Sequence, residues 1–119
     1  MQRDLLLISE MIAAAEQAQS LVADAEPDAL GGDRQRRDAL LGNFTVLGEA
    51  AAQVGVDVKA RFPQVEWQQP TRLRNRIVHG YWSIDLEILH TTATDLLPAF
   101  VTQLRAVMAE PEDEGEAER

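Results

Sequence analysis

The stretch "LEILHTTATDLLPAFVTQLRAV" (86–107) decides the fold class. Leu86, Leu89, Ala93, Leu96, Phe100, Leu104 and Val107 recur every three or four residues, close to a heptad. That spacing places them on one stripe of an α-helix. The helix is predicted over about 84–108, with Ser83 or Asp85 as its cap. Pro98 falls inside it and is predicted to kink it locally.

The same period recurs upstream. Leu5, Ile8, Ile12, Ala15 and Val22 predict a first helix over about 3–25, and Pro27, Gly31 and Gly32 in "EPDALGGD" (26–33) break it. A second long helix is predicted over 33–54, with Asp33 as N-cap and Gly55 just past the end. Its stripe is Leu40, Phe44, Leu47, Ala51 and Val54. Gly42 and Gly48 weaken that helix intrinsically, and are read as places where a neighbouring helix comes close. A helical turn at 58–62 ends at Pro63, and "PQVEWQQ" is a loop. Pro70 suits the first turn of a helix carrying "TRLRNRIVH" and stopping at Gly80. No strand and no internal repeat is evident. The expected fold is all-α, a small antiparallel helical bundle.

At 119 residues the chain has room for one core. The domain is predicted over 1–109, followed by an acidic tail, "EPEDEGEAER" (110–119), of disordered composition. The chain has no cysteine, which removes disulfides and thiolate metal sites and suits a cytoplasmic location. The N-terminus is not read as a signal peptide, because Asp4, Ser9 and Glu10 interrupt its apolar residues. No segment is judged long and apolar enough to span a membrane. The net charge of −9 makes the protein a poor general nucleic-acid binder. Any polyanion must meet a local cluster of arginines.

Such a cluster exists in "TRLRNRIVHGYW" (71–82). It gathers Arg72, Arg74 and Arg76, one of the two histidines (His79) and the single tyrosine (Tyr81). At about 100° per residue, Asn75, Arg76 and His79 share a helical face. Arg74 lies about 140° from His79 around the axis, but a long side chain can curl back, or meet the His79 of a second subunit. Histidine moves protons near neutral pH, and arginine binds phosphate bidentately. Asn75 is placed to orient the imidazole or a water. Such a set suits RNA cleavage without a metal: the ribose 2′-OH attacks the adjacent phosphate, His79 handles the proton and arginine holds the phosphate. A solvated helix face with a capping or core histidine would give the same spacing. His90 is read as structural or as an interface residue. His79 and His90 lie on different helices without a carboxylate pair at ligand spacing, so no metal site and no cofactor is expected. Trp67 and Trp82 flank the cluster as candidates for packing or for stacking on a base.

These residues resemble a known family. "RNRIVHGY" (74–81) is similar to the signature of HepT-like proteins, a branch of the HEPN superfamily. "LGEAA" (47–51), "RFPQVEW" (61–67), "GYWSIDLEIL" (80–89) and "DLLPAF" (95–100) resemble further family motifs in the same order. The resemblance implies a helical bundle that dimerises, with the Arg and His motifs of both subunits facing a shared cleft. It implies a metal-independent endoribonuclease, the toxin of a type VII toxin–antitoxin pair whose partner is MntA, a minimal nucleotidyltransferase. On this likeness Arg74 and His79 would be catalytic and Asn75 supporting. Tyr81 would be the site of AMPylation that silences the toxin; apart from the likeness, Arg72 and Arg76 are read as candidate RNA or phosphate contacts. The alternative is a non-catalytic subunit that only presents Tyr81 to the nucleotidyltransferase. The acidic tail and Pro70 depart from the family pattern.

Overall fold

The computed structural model describes residues 2–110; the expected acidic tail lies almost wholly outside the described residues. The chain folds into α1 (Gln2–Val22), α2 (Pro27–Gly32), α3 (Arg34–Gln53), α4 (Val56–Arg61) and α5 (Gln68–His79). A 3₁₀ turn (Tyr81–Ser83), α6 (Leu86–Thr91), a π-helical segment (Thr92–Leu96) and α7 (Leu97–Ala109) complete it. Among the described residues there is no strand.

α3 is the central helix. α1 packs along one side of it and α5 along another, while α7 packs on α1. α1 and α3 are antiparallel: at the start of α1, Arg3 Nη2 donates to Gln53 Oε1 at the end of α3 (3.0 Å), and Asp4 Oδ1 accepts from the Gly55 N–H (2.8 Å). The core is aliphatic, built on Ile8, Met11, Leu30, Leu40, Leu41, Phe44, Leu47, Leu89 and Leu104. Among the described residues no polar or charged one is fully buried.

Several expectations hold with local physical reasons. Asp33 caps α3, its Oδ1 accepting from the Arg36 N–H (3.0 Å), and Asp85 caps α6 through the Glu87 N–H (2.9 Å). Gly48 is a close approach. A Cβ there would lie 2.3 Å from Arg74 Cβ and 2.5 Å from the Pro70 carbonyl oxygen, so the backbones of α3 and α5 touch at this point. The Thr71 hydroxyl reinforces the crossing by donating to the Gly48 carbonyl (3.0 Å). Trp67 is buried and its indole N–H donates to the Phe62 carbonyl (2.9 Å). It pins the 62–67 loop and is not available to stack on a base.

Other expectations are corrected. Gly42 faces open space, so no helix among the described residues crosses there. Gly55 does stand just past the end of α3, as expected, but with φ −63° it is not left-handed, and it also serves as the N-cap of α4. The predicted break at 26–33 contains α2, with Pro27 at its start and Leu30 fully buried. α1 has 21 residues, and its most apolar 18-residue stretch has a mean hydropathy of 1.2, long and apolar enough to cross a membrane by length and composition. Part of that stretch is buried in the bundle, through Ile8, Met11, Ile12, Ala15 and Ala18, while Leu6 on the same helix is exposed.

The last helix is not one regular rod. Pro98 stands in the first turn of α7, where its missing N–H is harmless, and the π segment sits just before it. The Leu97 N–H reaches back five residues to the Thr92 carbonyl. The extra residue turns the stripe by about 100°. Leu97 therefore takes the core position expected for Leu96, which is 61% exposed.

Candidate functional site

α5 carries the site. Its core side is Pro70 and Ile77, both buried, with Leu73 partly buried against the cluster. The opposite side presents Arg72, Asn75, Arg76 and His79 to solvent, at the i, i+3, i+4, i+7 spacing of one helical face. Arg72 Nη2 donates to Gln68 Oε1 (2.9 Å). The side chains of Arg76 and His79 make no hydrogen bond or ion pair with another described residue. An arginine-rich helix face on which no carboxylate among the described residues pairs with Arg72 or Arg76 is suited to an anion arriving from outside.

Arg74 lies between the two sides. The Gly48 crossing presses its stem onto α3, and its guanidinium bridges two acceptors: Nη2 donates to Glu49 Oε1 on α3 and Nη1 to Asn75 Oδ1. Its Nε is buried without a hydrogen-bond partner among the described residues. Asn75 thus orients the arginine, not the imidazole. Within one subunit Arg74 makes no bond to His79, so the two expected catalytic residues are not brought together by this chain alone. Glu49 is a residue of the site that sequence reasoning passed over. It lay in "LGEAA", but nothing local signalled that its carboxylate would face Arg74.

Tyr81 sits in the 3₁₀ turn after α5, and its hydroxyl points toward the beginning of α3. Tyr81 Oη donates to Asp38 Oδ1 (2.7 Å). Arg34 Nε lies 3.5 Å from Asp38 Oδ2 and Arg37 Nε 3.9 Å from Oδ1. The Tyr81 hydroxyl, then the two guanidiniums, hold the Asp38 carboxyl below the usual carboxylate range. The same hydrogen bond, helped by partial burial, pushes the Tyr81 phenol up from its ordinary value. Asp38 stands eleven residues before Glu49, close to three full turns, so both carboxylates mark one face of α3.

Arg72 and Arg76 also rim an apolar cavity of about 450 Å³ between α3, α5 and the α6–α7 run, walled by Phe44, Leu47, Leu97 and Phe100. Exposed Leu96 and Ile88 stand at its edge. His90 is structural, its Nε2 bonding the Ala25 carbonyl (2.5 Å) and tying α6 to the segment before α2. Among the described residues, no three His, Cys, Asp or Glu side chains converge to hold a metal ion.

A family model described as "Ribonuclease HepT-like" matches residues 11–107, which spans every element that builds this site. The chain belongs to the HepT-like ribonuclease family. The family makes it a ribonuclease by class. Among curated proteins, this HepT-like chain is similar to "Putative RNase MJ0127" of Methanocaldococcus jannaschii. The two are 27% identical over 84 residues, covering 71% of this chain and 69% of that one. It is also similar to "Probable ribonuclease HepT" of Thermococcus cleftensis, at 25% identity over 67 residues, 56% of this chain and 61% of that one. No solved structure matches the HepT-like chain significantly.

Proposed function

We propose that this HepT-like protein is a metal-independent endoribonuclease that works as a homodimer in the cytoplasm. In this reading it is the toxin of a type VII pair, silenced when an MntA-type nucleotidyltransferase AMPylates Tyr81. The observation that carries it is the outward face of α5, where Arg72, Arg76 and His79 stand together with Arg74 held beside them by Glu49 and Asn75. His79 accepts the ribose 2′-OH proton as that oxygen attacks the adjacent phosphorus, and the 5′-oxygen leaves. Arg74 stabilises the charge that builds on the phosphate. A second subunit supplies what one lacks, since His79 of one chain and Arg74 of the other can face a common cleft. The apolar cavity beside Arg72 and Arg76, with exposed Leu96 and Ile88, supports an interface through α5 and the α6–α7 run. Two copies of the arginine cluster then focus a positive potential on an acidic protein.

One observation favours the alternative of a non-catalytic subunit that presents Tyr81. The guanidinium of Arg74 is engaged by Glu49 and makes no bond to His79 in the same chain. A single experiment separates the two. Wild-type and His79→Ala protein are incubated with total RNA in low salt and excess EDTA, with Tyr81 confirmed unmodified by mass spectrometry. Cleavage by the wild type alone is expected. Absence of cleavage by both favours the presenting subunit.

A further inference from the structure

Asp38, Arg34 and Arg37 take no part in the ribonuclease reading, yet Asp38 holds the hydroxyl of the chain's one tyrosine, and Arg34 and Arg37 flank that same carboxylate. We infer that Asp38 is the proton acceptor for Tyr81 when its hydroxyl takes a nucleotidyl group, and that Arg34 and Arg37 receive the phosphate placed there. The inference rests on the reading of Tyr81 as the modified residue and adds the groups of this chain that perform the step.

The geometry is that of an acceptor paired with a nucleophile. Tyr81 Oη and Asp38 Oδ1 are 2.7 Å apart, inside the range required of a general base. The pair is open to an incoming co-substrate, with Asp38 42% and Tyr81 36% exposed. In the step, Tyr81 Oη attacks the α-phosphorus of a nucleoside triphosphate. The new O–P bond forms as the bond to pyrophosphate breaks, the hydroxyl proton passes to the Asp38 carboxylate, and pyrophosphate leaves. The phenol is held protonated and the carboxylate ionised, so the hydroxyl is not self-activated and its acceptor is in place before the reaction. The phenol becomes acidic only as the O–P bond forms, and that is when an adjacent base helps. The product then carries a phosphodiester whose negative oxygens lie beside the Arg34 and Arg37 guanidiniums, which bind such groups in charge-assisted pairs.

The competing role is purely mechanical: the hydrogen bond would only fasten the turn after α5 onto α3. Asp38→Asn distinguishes the two, because asparagine still accepts the hydrogen bond but does not take the proton. Wild type, Asp38→Asn, Asp38→Glu, Arg34→Ala/Arg37→Ala and Tyr81→Phe are incubated with an MntA-type nucleotidyltransferase and ATP, and adducts are followed by intact-mass spectrometry across pH. Wild type gains nucleotidyl mass and Tyr81→Phe does not. Asp38→Asn is slowed by about 100-fold or more near neutral pH, and its rate, unlike that of the wild type, climbs with pH as the phenol ionises unaided. Asp38→Glu recovers part of the rate, which sets loss of the base apart from loss of the fold. The double arginine variant reacts more slowly while keeping the wild-type pH profile. Wild-type rate and pH profile in Asp38→Asn would overturn the inference. Wild type that takes no adduct, or Tyr81→Phe labelled as fast as wild type, would remove the Tyr81 reading itself and the inference with it.

Discussion

Replacing Gly48 by alanine tests the crossing on which the site is built. A methyl group at that position meets Arg74 Cβ at 2.3 Å and the Pro70 carbonyl oxygen at 2.5 Å, against 3.4 Å or more for an ordinary contact. Neither atom is the far end of a flexible side chain, so α3 and α5 must part by about 1 Å. Overpacking of this kind costs about 1–3 kcal/mol, and occasionally more. Alanine returns about 0.5–1 kcal/mol of helix propensity, because glycine is the poorer helix former. The net expectation is a loss of about 1–2 kcal/mol, read as a lower urea midpoint at unchanged slope and a Tm lower by roughly 4 °C or more. The guanidinium of Arg74 shifts with its backbone, so RNA cleavage falls along with stability. Gly42→Ala is the internal control: it lies on the same helix with nothing within 4 Å. It should gain most of the propensity term, up to about 1 kcal/mol. If both variants gained stability to the same degree, α3 and α5 would not be in backbone contact at Gly48 and the reasoning would fail.

Glu49→Gln removes a half-exposed ion pair, so unfolding free energy should change by no more than about 1 kcal/mol, while fluorescence anisotropy shows tighter, more salt-dependent binding of single-stranded RNA; weaker binding would mean Glu49 itself helps hold the substrate. The Asp38–Tyr81 bond should stabilise the fold across a defined pH window. Asp38 is lowered from 3.8, so its contribution is present above that value and lost as pH falls through the depressed native one; Tyr81 is raised from 10.0, so its contribution is present below that value and lost as pH rises through the native one. Measured as Tm, the difference between wild type and Asp38→Ala should therefore be flat between about pH 4 and 10 and shrink outside; a difference that varies within the window would assign the stabilisation to other groups. Trp67→Phe keeps an aromatic side chain but loses the indole N–H and part of the buried volume, leaving the Phe62 carbonyl without its donor, and should cost about 1–3 kcal/mol in chemical denaturation. No loss would show that water replaces the indole without cost.

Much of the bundle was legible because its signals are local. The stripe from Leu40 to Ala51, the Asp33 and Asp85 caps and the stop at Gly80 each follow from spacing and capping chemistry within one helix. Leu96 was misjudged because the inserted residue of a π turn leaves no mark on the hydrophobic period until the next turn, where Leu97 offers an equally apolar substitute. α2 was hidden behind Pro27, Gly31 and Gly32, residues that usually punctuate, since burying Leu30 outweighs their poor propensity. At the site, the outward face of α5 was readable from its own sequence. Its acceptors were not: Glu49 and Asp38 lie on another helix, 25 and 43 residues from their partners, and only the α3–α5 crossing brings them into reach.

The π segment between α6 and α7 works as a phase joint. A regular helix offers one apolar face along its whole length and so can serve only one line of neighbours. Here α6 packs on α2 while α7 packs on α1, and the additional residue lets each keep its own orientation. The joint therefore tolerates a change of residue type better than a change of length. Deleting one residue from 92–96 would bring the two halves into register, draw Leu96 inward at the expense of Leu97, and flatten the apolar edge that now stands beside Arg72 and Arg76. Chain length, not composition, is what evolution would have to conserve across those five positions.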